Sequence, residues 1–139
     1  MAIDYVARVP RPDTSRWDSA LREGAGFALR YVPALDMLAV LLGGPVASYS
    51  YDGEDGVMIR ISLDGNMLSG VEIYDCSDQF LPAHPEARAA YEQAIGSHQT
   101  SGMLGQWGCP PTPDSPVAYA IAVAADPIVR RALEELAPL

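Results

Sequence analysis

Residues 27–80 form a succession of short apolar runs separated by turn-forming residues, and this stretch constrains the fold more than any other. In the run VMIRIS, the apolar residues Val57, Ile59 and Ile61 alternate with Met58, Arg60 and Ser62. Successive side chains of a strand point to opposite faces, so this alternation predicts that one set faces a core, together with Val71 and Ile73. The stretch predicts strands in the runs FALRYV, MLAVLL, VASYSY, VMIRIS and LSGVEIY.

The residues between these runs favour tight turns. Asp64-Gly65 lies between two apolar runs and is a strong hairpin signal, and glycine-rich turns also occupy residues 43–45 and 52–56. Connections this short favour antiparallel pairing of successive strands. The run Met37–Leu42 is apolar at nearly every position, so we expect it in the centre of the sheet with both faces covered.

The segments on either side of the sheet favour helices. A short helix, SRWDSALRE, begins at Thr14 or Ser15 and ends at Gly24, with Trp17, Ala20 and Leu21 on the face that packs on the sheet. A second helix is predicted over 86–95, ended by Gly96, and a third after Asp126-Pro127.

Two further segments leave the type of structure open. Residues 117–125 fit a strand or the start of a helix, and their alternation with alanine slightly favours a strand. Residues 1–9 fit an additional edge strand. We predict an α+β fold in a single domain over residues 1–139: a small antiparallel sheet, a meander of about five strands, flanked by about three helices.

Two motifs in the sheet stretch carry a family resemblance. Tyr31, Pro33, Asp36, Leu38 and Val40 precede the sequence GVEIYDCS at 70–77. Together they resemble the small bacterial domain-of-unknown-function family 2283 over roughly residues 27–80. The first motif is degraded, because Val32, Ala34 and Ala39 stand where the family has Asp, Glu and Tyr. The resemblance implies a small antiparallel sheet followed by a helix, and it implies no catalytic residues.

Composition and charge limit the classes of partner. The chain has 9 basic and 18 acidic residues, a net charge of −9, and all its basic residues are arginine. Such a surface repels phosphate backbones, so we expect no nucleic-acid binding and favour a protein partner with a basic surface. A small apolar ligand and a homodimer are the other partners left open. The absence of lysine and the Ala, Gly, Pro and Asp content favour a bacterial source with a GC-rich genome.

The same sequence favours a cytoplasmic location. No apolar run approaches the length of a membrane span, and MAIDYVARVPRP lacks the basic and apolar regions of a secretory signal. Reduced thiols are then the default for Cys76 and Cys109, although a disulfide between them is left open.

Few residue patterns indicate catalysis. The weak candidates are Glu72, Asp75 and Cys76, with His84 eight residues further on. The Cys and His residues are too widely spaced for a metal site, and no phosphate-binding or dinucleotide-binding glycine motif occurs, so we expect neither metal nor cofactor. An ordinary exposed strand residue is the favoured interpretation of Glu72.

Aromatic residues provide the candidate binding surface. Tyr49 and Tyr51 lie two residues apart on one strand, and Trp107 lies in a long segment rich in Gly and Pro over 96–116. Tyrosines on one sheet face give large contact area at low entropic cost, although plain sheet packing under a helix is the favoured interpretation, because aromatic residues suit sheets. Trp107 is expected to be at least partly buried as the anchor of that segment.

Two functions follow as hypotheses. The first is a small, acidic, non-catalytic recognition protein, similar in kind to immunity proteins or antitoxins. The second is a small-molecule enzyme, an isomerase, cyclase or hydrolase, with carboxylates in a pocket under residues 97–116. The absence of catalytic motifs weakly favours the first, and the sequence names neither partner nor substrate.

Overall fold

The computed structural model describes residues 12–43, 46–101 and 116–136. Five strands and four α-helices occupy these ranges, with a 3-10 turn at Pro33–Leu35. In chain order they are α1 (Ser15–Glu23), β1 (Phe27–Val32), β2 (Met37–Leu42), β3 (Ser48–Asp52), β4 (Val57–Ser62), β5 (Leu68–Ile73), α2 (Phe80–Ala83), α3 (Pro85–Ser101) and α4 (Pro116–Leu136).

The strands form one antiparallel sheet in the order β1-β2-β5-β4-β3. Strands adjacent in sequence pair with each other, except that β2 pairs with β5 and β3 lies at the far edge. The predicted α+β class with an antiparallel sheet is confirmed. All six residues of β2 are buried, as expected for a strand covered on both faces, although β5 holds the central place.

Gly70 permits the close approach of β5 to its neighbours. It lies opposite Leu41 of β2 and Arg60 of β4, with φ at 155°. A Cβ atom at this position would overlap the carbonyl oxygen of Val40. The glycine is therefore required by the packing of backbone against backbone in the middle of the sheet.

The main core lies between one face of the sheet and the helices. Val57, Ile59, Ile61, Val71 and Ile73 are all fully buried there, so the predicted core face is confirmed. A smaller apolar cluster occupies the opposite face and contains Ala28, Val32, Met37, Ala39 and Leu41.

Helix α1 has the predicted bounds and the predicted buried face. Trp17 and Ala20 are buried, and Gly24 ends the helix in a left-handed conformation with its N–H bonded to the carbonyl of Ala20. The Trp17 ring packs edge-on against Phe27, with 5.2 Å between ring centroids. Its indole N–H donates to the carboxylate of Asp126 at 2.9 Å, which ties α1 to α4.

Of the two structures left open for residues 117–125, the helix is the one that forms, and the predicted helix start at Asp126-Pro127 was wrong. Residues 117–125 are helical, and Asp126-Pro127 lies inside α4 instead of opening a helix. Buried residues with a period of about 3.6 continue on both sides of the proline. One continuous helix buries all of them against the core, which favours it over two separate elements. These residues are Ala118, Ile121, Ala122, Ala125, Ile128, Val129, Ala132 and Leu133.

The predicted end of the second helix was also wrong. Helix α3 continues past Gly96 to Ser101, because a glycine within a helix costs only about 1 kcal/mol and does not by itself end one. The predicted strand over 1–9 lies outside the described residues. Within the described ranges, no helix is long and apolar enough to cross a membrane.

Replacing Ile59 by Ala tests the assignment of the core face. Ile59 is fully buried in the main core, so its truncation should lower the free energy of unfolding by about 2–5 kcal/mol. Urea denaturation measures this change. Met58→Ala, on the opposite and partly exposed face, is the matched control and should cost less. A loss below about half a kilocalorie for Ile59→Ala would contradict the assignment.

Candidate functional site

The edge strand β3 presents one side of its backbone without a partner among the described residues. It pairs with β4 alone, from Ser48 opposite Ser62 to Asp52 opposite Met58. The hydrogen bonds from Leu63 N to Ala47 O and from Gly53 N to Val57 O fix which residues bond to β4. In an antiparallel ladder these positions alternate, so Tyr49 and Tyr51 bond inward while Ser48, Ser50 and Asp52 direct their N–H and C=O groups outward.

Tyr49 and Tyr51 share one strand face, as predicted, and it is the face that packs against the main core. Both are half-buried, and their rings meet edge to face with centroids 5.4 Å apart. The Tyr49 hydroxyl donates to Asn66 Oδ1 at 2.8 Å. Desolvation, with a smaller contribution from Tyr51, raises the pKa of Tyr49. The pair is therefore a rigid aromatic backing for the edge strand.

Acidic residues lie at both ends of β3. Asp52 ends the strand and Asp64 lies in the turn beside its start, and both are exposed with no ion pair among the described residues. In the turn after β3, Glu54 accepts two hydrogen bonds from Arg131, at 2.9 and 3.0 Å. Asp55 lies 3.9 Å from His84. The edge strand is thus flanked by carboxylates that are only partly compensated, which favours a cationic partner.

A second polar centre joins the two motifs that carry the family resemblance. The Asp36 carboxylate accepts hydrogen bonds from the Tyr31 hydroxyl at 3.3 Å, the Cys76 thiol at 3.3 Å, and the Ser77 hydroxyl and N–H at 2.8 and 3.0 Å. The Asp36 carbonyl also accepts the Cys76 N–H at 3.0 Å. Asp36 has a left-handed φ of 45°, which directs these groups towards the turn after β5. The arrangement fastens the β1–β2 turn to the β5–α2 turn.

The environment of Cys76 disfavours a thiolate. The residue is a free, fully buried cysteine. Burial, reinforced by the hydrogen bond to Asp36 and its negative charge, raises the pKa of the thiol to about 12. Since the thiolate is the nucleophilic form, Cys76 is suited to donating a hydrogen bond and poorly suited to attacking a substrate.

The other catalytic candidates do not converge with Cys76. Glu72 forms an ion pair with Arg60 at 3.1 Å on the sheet face opposite the main core. Asp75 is exposed, and its carbonyl accepts the N–H groups of Asp78 and Gln79 to form the turn into α2. The three residues therefore occupy three different environments: Glu72 an ion pair, Asp75 an exposed turn, and Cys76 a buried position bonded to Asp36.

The remaining predicted site residues fall outside the described part of the chain or carry no metal geometry. Trp107 and Cys109, together with residues 102–115 of the predicted irregular segment, lie outside it. His84 stacks on Phe80 with ring centroids 4.3 Å apart. In the ranges that the structure covers, no group of three or more His, Cys, Asp or Glu side chains could hold a metal ion.

The sequence contains a local signal for the open edge. The run SYSYD at 48–52 alternates polar and aromatic residues, is only five residues long and ends in a charge. Short, polar strands with a terminal charge are typical of sheet edges. Nothing in the sequence indicated that the Asp36 carboxylate would accept hydrogen bonds from Cys76 and Ser77, because these residues lie about forty positions away.

Comparisons of the chain with protein-family models, with curated proteins and with solved structures found no match.

Amide hydrogen exchange in the free protein tests the geometry of β3. The N–H groups of Ser48, Ser50 and Asp52 point away from β4 and should exchange at least about tenfold faster than those of Tyr49 and Tyr51. Residue-resolved exchange followed by NMR measures the ratio. Uniform protection along residues 48–52 would mean that the outer side of β3 is covered.

The raised pKa of Cys76 predicts a pH-dependent stability. The folded protein retains this proton up to about pH 12, whereas the unfolded chain loses it near its ordinary pKa of 9.0. The resulting stabilisation is complete below about pH 9 and declines as the pH rises towards 12. Unfolding free energies from about pH 8 to 11 should therefore fall less steeply for Cys76→Ala than for the wild type. Identical slopes for the two proteins would contradict the assignment.

Proposed function

We propose that this protein is a non-catalytic recognition module that binds an extended, basic segment of a protein partner along β3. The observation that carries the proposal is the outward-facing backbone of Ser48, Ser50 and Asp52, which bonds to no described residue. An unpaired edge of this kind accepts an added strand, and main-chain hydrogen bonds supply much of the affinity.

Charge selects the partner. Asp52 and Asp64 are uncompensated among the described residues and lie at opposite ends of β3, and the whole chain carries −9. A second copy of the chain would bring the same carboxylates and the same net charge to the edge. A cationic strand gains from these charges instead, so a basic partner is favoured over a homodimer.

The rings of Tyr49 and Tyr51 support the edge strand from its core face and do not cover its outward backbone groups. Tyr49 and Tyr51 are fixed against the core by their mutual contact and by Asn66, so the edge strand is held in an extended conformation before a partner arrives. A strand ordered in advance loses less conformational entropy when it binds.

The enzyme hypothesis has less support. Cys76 is held as a thiol and Glu72 is neutralised by Arg60. Under the recognition proposal the protein acts in the manner of small acidic immunity or antitoxin proteins. The free thiol of Cys76 suits the reducing conditions of a bacterial cytoplasm.

Two labelled octapeptides test the proposal, one alternating arginine with valine and the other glutamate with valine. Fluorescence anisotropy at physiological ionic strength should show binding of the arginine peptide only. The variant Ser50→Pro removes an outward N–H without removing a bond to β4, and it should weaken this binding at least about tenfold, equivalent to about 1.4 kcal/mol.

The control is Ser50→Thr, which keeps the backbone donor and should bind as the wild type does. Circular dichroism confirms that both variants remain folded. Bound peptide should also slow amide exchange at Ser48, Ser50 and Asp52. Equal binding of the arginine peptide by both variants would reduce the interaction to general charge attraction, and no binding by either peptide would contradict the edge as a peptide site.

A further inference from the structure

A cavity of about 360 Å³ lies at the end of the sheet where β2 and β4 end and β3 and β5 begin. This volume is within the range of small-molecule sites, about 300–1,000 Å³. Apolar side chains form most of its wall, namely Leu42, Val46, Ala47, Leu63 and Met67. The cavity adjoins the start of β3 and shares Asp64 with the carboxylates that flank this strand, whereas none of the residues bonded to Asp36 lines it.

The rim of this cavity exposes apolar surface. Leu63 is 64% exposed and Val46 is 47% exposed. They are two of four large apolar side chains that are exposed in the described ranges, and both line this one cavity. Apolar surface left in water around a concavity is typical of a ligand site, since a bound apolar group would cover it.

Arg16 provides a cation at the cavity wall. Its guanidinium lies against Gly43, with Nη2 3.1 Å from the position that a Cβ atom would occupy, so the missing side chain makes room for it. The chain has twice as many acidic as basic residues, and Arg60, Arg88, Arg130 and Arg131 each pair with a carboxylate. Among the described residues, Arg16 makes no such pair.

The other polar groups of the wall narrow the choice of ligand. Ser62 Oγ donates to the Asp64 carbonyl and accepts the Met67 N–H, and Ser69 Oγ donates to the Arg60 carbonyl. Both hydroxyls are therefore already engaged. Asp64 also lines the cavity, and its negative charge disfavours a second anionic group on the ligand. These constraints leave one anionic group opposite Arg16 and disfavour phosphates and dicarboxylates.

We propose that this cavity binds a small monocarboxylate with an apolar body, with the carboxylate on Arg16 and the apolar body against Leu63, Val46 and Met67. Guanidinium groups match the planar carboxylate with two parallel hydrogen bonds, which an ammonium cannot reproduce. Two sources share this chemistry: a medium-chain fatty acid, and an apolar α-amino acid whose ammonium group would face Asp64.

NMR titration with octanoate and with leucine tests the site and separates the two sources. We expect at least one of them to shift the amide signals of Arg16, Leu63 and Met67 saturably at millimolar concentration. Octylamine and octanol share the apolar body without the carboxylate, and should bind at least about tenfold more weakly than octanoate. Tighter binding of leucine than of octanoate identifies the amino-acid class.

Arg16→Gln should weaken binding of the better ligand at least about tenfold. Arg22→Gln is the matched control, because Arg22 lies on the same helix, is exposed and bonds only to Ser19 among the described residues. Ala47→Leu fills the cavity from an exposed position and should abolish binding with Arg16 intact. Saturable shifts in neither titration, equal affinity in Arg16→Gln and Arg22→Gln, or octylamine binding as tightly as octanoate would each overturn the proposal.

Discussion

The burial of one face of the sheet under α4 and α1 is the interaction on which the rest of the fold depends. Helix α4 keeps an apolar stripe from Ala118 to Leu133 in contact with the core. Pro127 removes one backbone donor in the middle of that helix, yet the stripe is unbroken across it. The gain from burying a continuous stripe exceeds the cost of the missing hydrogen bond. Beside this proline, the Asp126 carboxylate accepts the Trp17 indole N–H and so joins α4 to α1. It also pairs with Arg130 within α4.

Packing also determines where charge remains available. Most described arginines form ion pairs with carboxylates of the protein itself. Arg130 pairs with Asp18 and Asp126, and Arg131 pairs with Glu54. Since acidic residues outnumber basic ones, this pairing leaves carboxylates over, including those beside β3. Arg16 pairs with no carboxylate among the described residues although acids are in excess, and it lies at a cavity with a mostly apolar wall. The two proposed sites therefore differ in local charge, because the cavity wall adds Arg16 to the Asp64 that also flanks β3.

Local patterns predicted the strands because each is a short run, either alternating or continuously apolar, bounded by turn-forming residues. Val57, Ile59 and Ile61 identified the core face of β4, and Asp64-Gly65 identified the hairpin to β5. Helix bounds were less predictable. Gly96 and Pro127 carry strong local signals for helix ends, and tertiary packing or neighbouring helical residues overrode both. The spacing of Tyr49 and Tyr51 placed both on one strand face, and the favoured interpretation of plain sheet packing agrees with their contact with the core.

By itself the sequence determined the α+β class, the core face of the central strands, the bounds of α1 and the acidic character of the surface. These properties depend on residues close together in the chain or on composition alone. The tertiary structure decided that β2 pairs with β5, that Asp36 bonds to Cys76 and Ser77, and that Arg16 lies at a cavity built from four other segments. Each of these is a long-range juxtaposition set by strand order. Strand order depends on the packing of the whole core, which no local pattern encodes.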